Sequence, residues 1–180
     1  MKTIRNYFIY FMAYAFLGWI YEVLLGIFQF HLGFINRGFL FGPYLPLYGV
    51  GAIIFICLLD NLKNKRITVL KLNIMPVLIF LAIMFIATTL ELVTSYLMEF
   101  FIGKWLWDYN GYFMNYEGRI ALETSIRFGI GGMAILYVIQ PFLNRILTSG
   151  KDKQINIIFV TMGLIFVLDV ISRAFLGSNI

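Results

Sequence analysis

Apolar residues fall in long runs separated by short polar segments, and they lack the strict alternation of barrel strands. Runs at about 7–30, 43–60, 74–102, 119–143 and 155–176 suffice to cross roughly 30 Å of hydrocarbon as helices rising about 1.5 Å per residue. The second is short. Pro43 and Pro46 stand at its start among Gly38, Gly42, Gly49 and Gly51, which predicts irregular or re-entrant first turns. A backbone in lipid must satisfy its own hydrogen bonds, so the predicted fold class is all-α: a polytopic transmembrane helix bundle of about five spanning helices. No repeat, low-complexity tract or linker divides the chain, and residues 1–180 are expected to form a single integral membrane domain.

Lys and Arg in the connections set the expected topology. Lys2 and Arg5, then Lys63, Lys65, Arg66 and Lys71, then Arg145, Lys151 and Lys153 fall on one side; Arg37, Lys104, Arg119 and Arg173 fall on the other. The richer side is cytoplasmic by the positive-inside rule, which predicts the N-terminus inside and the C-terminus outside. Without a crossing at 43–60, the Lys63-to-Lys71 cluster would lie outside, so five spans are retained. Composition agrees with a membrane: 61% hydrophobic residues, 13% charged and a mean hydropathy of +0.87 exceed what a soluble surface tolerates. The net charge of +5 thus reflects topology, and no nucleic-acid partner is predicted. Cys57 is the single cysteine, which excludes an intrachain disulfide; no metal site and no cofactor are predicted. The basic N-terminus precedes a stretch too long for a signal h-region and without a clear cleavage site, so a retained helix is expected.

Charged residues inside the runs are the candidate chemistry. Near a bilayer centre each costs about 2.5–3.5 kcal/mol and must face protein or water. Glu22, Glu91, Glu99, Arg119, Glu123, Arg127, Asp169 and Arg173 all fall in predicted helices. Rise per residue puts Glu22 about 13 Å, Arg127 about 12 Å and Glu91 roughly 15 Å below the outer edge, one shared level. Arg119, Glu123 and Arg127 step by four and predict an i,i+4 ladder on one helix face; Asp169 and Arg173 repeat that spacing near a helix end. Two readings stand. These residues form ion pairs that fix helix packing, or Glu22, Glu91, Glu123 and Arg127 line a polar cavity open to the outer face, where carboxylates in excess of the one deep arginine meet protons, water, an ion or a substrate. The substrate- or ion-binding candidates are Glu22, Arg37, Glu91, Glu99, Asp108, Arg119, Glu123 and Arg127. No catalytic residue is assigned, and His31, the single histidine, is expected at an interface.

Two loops carry unusual density on the predicted outer side. Asn36 to Gly51 is rich in glycine and proline; Trp105-Leu106-Trp107-Asp108-Tyr109-Asn110-Gly111 is followed by Asn115-Tyr116-Glu117-Gly118-Arg119. They read either as a structured turn plus an aromatic interfacial belt, or as a lid over the polar cavity. Gly18, Gly129, Gly131, Gly132 and Gly163 can admit close helix approach.

Gly18-Trp19-Ile20-Tyr21-Glu22, the Asn36-to-Gly51 stretch, Leu90-Glu91 with Thr94-Ser95 and Met98-Glu99, Trp107-Asp108-Tyr109, and Asn115 through Gly118-Arg119-Ile120 to Glu123 and Ser125 together resemble the bacterial type IV ABC-transporter permease (CmpB-like) family. The resemblance runs from about residue 15 to 132. It implies a multi-pass protein of the bacterial cytoplasmic membrane with a transport role, and it supplies no substrate and no catalytic residue. The chain has no Gly-x4-Gly-Lys-Ser/Thr phosphate loop, so an ATPase is expected as a separate subunit. Besides the lipid bilayer, that ATPase or another membrane subunit is the expected partner. The competing readings are an intramembrane enzyme acting on a lipid or lipid-linked substrate, and a purely structural membrane protein.

Overall fold

A computed structural model describes residues 2–176. The elements are helix α1 (Lys2–Phe28), helix α2 (Pro46–Leu59), a two-stranded hairpin of β1 (Thr68–Val69) and β2 (Leu72–Asn73), and helices α3 (Met75–Ile102), α4 (Leu122–Ser149) and α5 (Asp152–Leu176). The protein is essentially all-α. Helices α1, α3, α4 and α5 are long and apolar enough to cross a membrane, whereas α2 has 14 residues, about 21 Å, and is preceded by non-helical backbone. Large apolar side chains such as Phe85, Phe100, Val138 and Leu168 lie exposed along the long helices, the surface a bilayer solvates. The C-terminus, expected outside, lies beyond the described residues.

Both ends of the fourth helix depart from the sequence expectation, each for a local reason, and one element is added. The fourth helix begins at Leu122, not 119, because Ala121 is extended (φ −149°, ψ 156°) and Tyr116 bridges Ile120 as an antiparallel pair. Arg119 therefore lies outside the helix, and the predicted three-rung ladder reduces to Glu123 and Arg127. The same helix runs on to Ser149, so Arg145 is helical and the fourth connection shrinks to Gly150 and Lys151. Pro141 does not end this helix; it lacks the N–H that would bond the carbonyl of Tyr137, and the ladder loosens beside it into a π turn over Ile135–Ile139. The hairpin was not expected. It hangs on β1–β2 pairing, Thr68 opposite Asn73 and Val69 opposite Leu72.

The chain forms two compact units, Met1–Ile53 with Leu143–Ile180, and Ile54–Phe142. In the first, Met12, Ala15, Leu40 and Tyr44 are buried among Phe8, Phe11, Phe39, Met162 and Phe166. Phe8 meets Phe159 edge-on at 5.4 Å, and Phe11 meets Phe166 at 5.6 Å. Gly49 lets α2 lie against α1: a Cβ there would sit 2.6 Å from the Phe11 ring. Arg5, expected only to set topology, is 7% exposed and donates to Asn156 (2.7 Å) and Asp152 (3.3 Å). Tyr10 donates to Asn144 at 2.8 Å. In the second unit α3 packs on α4 where Gly129 and Gly132 face Phe80, Met84 and Ile83, and the hydroxyls of Thr88 and Ser125 meet at 2.6 Å. Gly131 meets nothing within 4 Å and does not serve the close contact expected of it.

Candidate functional site

Each unit carries a non-helical segment sewn to helix ends by charged side chains. In the first unit this segment is 29–45, between α1 and α2. The Trp19 indole donates to Asn36 Oδ1 at 2.7 Å, and Asn36 Nδ2 donates to the Phe41 carbonyl at 3.0 Å. Asp169 of α5 then accepts from the backbone N–H groups of Phe41 (3.0 Å) and Gly42 (2.7 Å) and from the Tyr44 hydroxyl. Burial, and after it the bond to Asp169, raise the Tyr44 phenol above its ordinary pKa, so it remains a donor. The expected Asp169–Arg173 pair is not what forms. Asp169 is turned to the loop, and Arg173 stacks its guanidinium over Phe39 and Phe41, 5.0 and 4.7 Å from the ring centroids.

The candidate residues of this unit are Glu22 and Arg37. Glu22 accepts from the Tyr48 hydroxyl at 2.5 Å. Arg37 lies against Gly26 of α1, with Nη2 3.4 Å from where a Cβ would stand, and its Nε is buried with no hydrogen-bond partner among the described residues.

In the second unit the segment 103–121 closes over the end of α3. Gly103 is left-handed (φ +80°) and returns its N–H to the Glu99 carbonyl at 2.9 Å, which ends α3 in the way a chain without a Cβ permits. Arg119 is 5% exposed and is the hub of this segment. Its guanidinium pairs with Glu99, donates to Glu117 (3.3 Å) and Ser95 (3.3 Å), and stacks on Tyr96 (4.1 Å) and Trp105 (4.0 Å). Its carbonyl accepts from the Trp107 indole at 2.7 Å. Planar faces and a fork of donors let one arginine hold two carboxylates and two rings. Asp108 accepts from the Asn110 N–H at 2.9 Å and shapes a turn; Tyr109 and Gly118 close the loop through a 2.8 Å backbone bond. Tyr109 also donates its hydroxyl to Glu91, at 2.8 Å. Glu91 is 4% exposed in the middle of α3, a carboxylate deep in a spanning helix reached by a neutral phenol from a loop.

Of the predicted group, the structure joins Glu99 to Arg119 and Glu123 to Arg127, and gives Glu91 and Glu22 tyrosine donors. Glu123 and Arg127 are half-exposed on α4, consistent with an i,i+4 pair at a helix start where a carboxylate also complements the dipole. Asp169 as the latch of the first loop, Arg5 as a buried donor and Lys63 were missed. Lys63 Nζ bonds Asp60 at 2.6 Å and the Leu136 carbonyl at 2.8 Å, so the π turn is held by a lysine from the segment after α2. A sequence signal existed for Asp169, an acid facing a Gly-Pro stretch whose free N–H groups need acceptors; none existed for Lys63.

These features define a multi-span α-helical membrane protein with two ordered, charge-latched loops at helix ends. The chain matches the family described as putative ABC-transporter type IV (CmpB) over residues 9–174 and belongs to it. No curated protein and no solved structure gives a significant match.

Proposed function

We propose that this chain is a permease-like membrane component of a bacterial ABC transporter, placed in the cytoplasmic membrane and driven by an ATPase on a separate chain. Family membership across residues 9–174 carries the reading, since that range takes in most of all four long helices. The absence of a Gly-x4-Gly-Lys-Ser/Thr sequence supports a separate ATPase. The basic connections, richest in Lys63 to Lys71, support the orientation that puts both ordered loops outside. In this reading the loop of 103–121 covers the entry to Glu91, and Glu91 is the group that meets a proton or a solute, with Tyr109 positioning it. A carboxylate buried at 4% exposure inside a spanning helix is costly to keep unless it acts.

The test is to tag the chain at native expression, solubilise it mildly and measure ATP hydrolysis and subunit content. Recovery of a stoichiometric ATPase whose activity is lost on vanadate addition, with the Glu91→Gln complex assembled but failing to couple hydrolysis to uptake, is the expected result. A chain recovered repeatedly without any ATPase would sink the proposal.

A further inference from the structure

The hairpin between α2 and α3 has two unlike faces. Strand alternation puts Val69 and Leu72 on one side, and the pairing continues to Ile67 and Ile74, whose backbone bond is 2.9 Å, so these four make one apolar face. Thr68 and Asn73 occupy the other. The apolar face is uncovered: Ile67 is 44% exposed, Val69 48% and Leu72 71%, and Leu70 at the tip is 92% exposed. Around it stand Lys65, Arg66 and Lys71, all exposed, whose side chains make no hydrogen bond or ion pair among the described residues. Lys63 is different, being used internally by Asp60 and the π turn.

The position of this hairpin chooses its occupant. Its base is joined to the first turn of α3, where Asn73 Oδ1 accepts from the Met75 N–H at 3.2 Å. Three residues separate base from tip, about 10 Å at strand rise. A structure that short, rooted on a membrane-crossing helix, keeps its cations within about one Debye length of the bilayer surface. A soluble partner, the ATPase on the same side included, could cover an apolar face, but the bilayer from which α3 emerges adjoins the hairpin in every copy of the chain. Exposed apolar side chains beside unpaired Lys and Arg, without a competing acid on the hairpin, are what an anionic headgroup layer binds.

We infer that the 66–74 hairpin is a membrane-surface anchor, laying Ile67, Val69, Leu70 and Leu72 into the interface and placing Lys65, Arg66 and Lys71 on anionic lipid headgroups. Docking is a local equilibrium of the hairpin and is independent of what the protein transports.

The experiment uses the full chain with Cys57→Ser and Leu70→Cys, labelled with an environment-sensitive fluorophore and reconstituted in nanodiscs of phosphatidylcholine with or without phosphatidylglycerol. A label on Thr68→Cys reports the polar face. Lipid-borne quencher is expected to reach the Leu70 label far more than the Thr68 label, more strongly with phosphatidylglycerol, and less at high salt. Replacing Lys65, Arg66 and Lys71 by Gln is expected to weaken docking about fivefold per cation. Equal quenching in both lipids and in the triple variant overturns the anionic-lipid reading. A Leu70 label open to aqueous iodide in both lipids overturns docking altogether, and one shielded from iodide yet unreached by lipid quencher overturns it in favour of a protein occupant.

Discussion

Replacing Asp169 by Leu removes the acceptor that three loop donors share: the N–H groups of Phe41 and Gly42 and the hydroxyl of Tyr44. Bonds to a charged group contribute about 1.5–3 kcal/mol each, and an orphaned buried donor costs about 1–3 kcal/mol. The Phe41 bond is exposed, so water replaces most of it; the Gly42 and Tyr44 bonds are partly buried and count for more. The expected loss is about 2–4 kcal/mol, and it is local because the segment 29–45 is held there rather than by the helices. The measurement is amide exchange by mass spectrometry in detergent or nanodiscs. About 2 kcal/mol corresponds to roughly a thirtyfold loss of protection over Phe39–Leu45, with exchange of the 104–121 segment unchanged. Tyr44→Phe, which keeps both backbone bonds, should show a smaller fraction of that loss. Unchanged protection of Phe41 and Gly42 in Asp169→Leu refutes the latch, and equal loosening of both loops shows that Asp169 acts through global stability instead.

Arg119→Met is expected to lower stability by about 1–3 kcal/mol, since it takes the guanidinium from Glu99 and a second donor from Glu117, while Ser95 keeps its bond to the Leu92 carbonyl and Glu117 its bond from the Tyr96 hydroxyl. Tryptophan fluorescence on heating checks it, Trp105 being one of the stacked rings. Gly132→Leu forces a side chain into Ile83 and within 3.1 Å of Phe55, and overpacking of about 1–3 kcal/mol should appear as lowered thermal stability; the same change at Gly131, which faces open space, should be nearly neutral. Lys63→Met leaves the Leu136 carbonyl and Asp60 without the ammonium, and faster exchange confined to the turn around Ile135–Ile139 is the expected result.

The helices were legible because hydrocarbon imposes one rule on every residue within it, and runs of apolar side chains state that rule openly. Family membership was legible as well, from motifs such as Gly18-Trp19-Ile20-Tyr21-Glu22 and Trp107-Asp108-Tyr109. Helix ends were less so. Arg119 was placed on a helix because spacing by four from Glu123 fits one; the extended Ala121 and the Tyr116–Ile120 bridge, which stop the helix short, leave no mark in a hydropathy pattern. The extension to Ser149 was hidden for the opposite reason. Pro141 and the polar residues after it look like a stop, yet a π turn absorbs the missing hydrogen bond and the helix continues.

Partners of the charged residues were the least legible, because a carboxylate in a helix can bind a residue one turn along its own helix or the backbone of a loop, and sequence spacing reveals only the first. Asp169 illustrates the second. An i,i+4 arginine was at hand in Arg173, but that arginine gains the faces of Phe39 and Phe41 while Asp169 gains two backbone donors and a phenol. The loop thereby satisfies N–H groups that neither helix nor sheet would satisfy. Arg119 obeys the same logic with the sign reversed, holding a loop of 103–121 to the carboxylate Glu99 near the end of α3. Glu91 differs in the charge of its donor. The Tyr109 hydroxyl of the 103–121 loop bonds it at 2.8 Å, and it lies 4% exposed about two turns before Glu99 on α3. Charge near the helix ends is thus occupied with fixing irregular backbone. In the transport reading proposed for Glu91, its replacement separates a protein that transports from one that is only well packed.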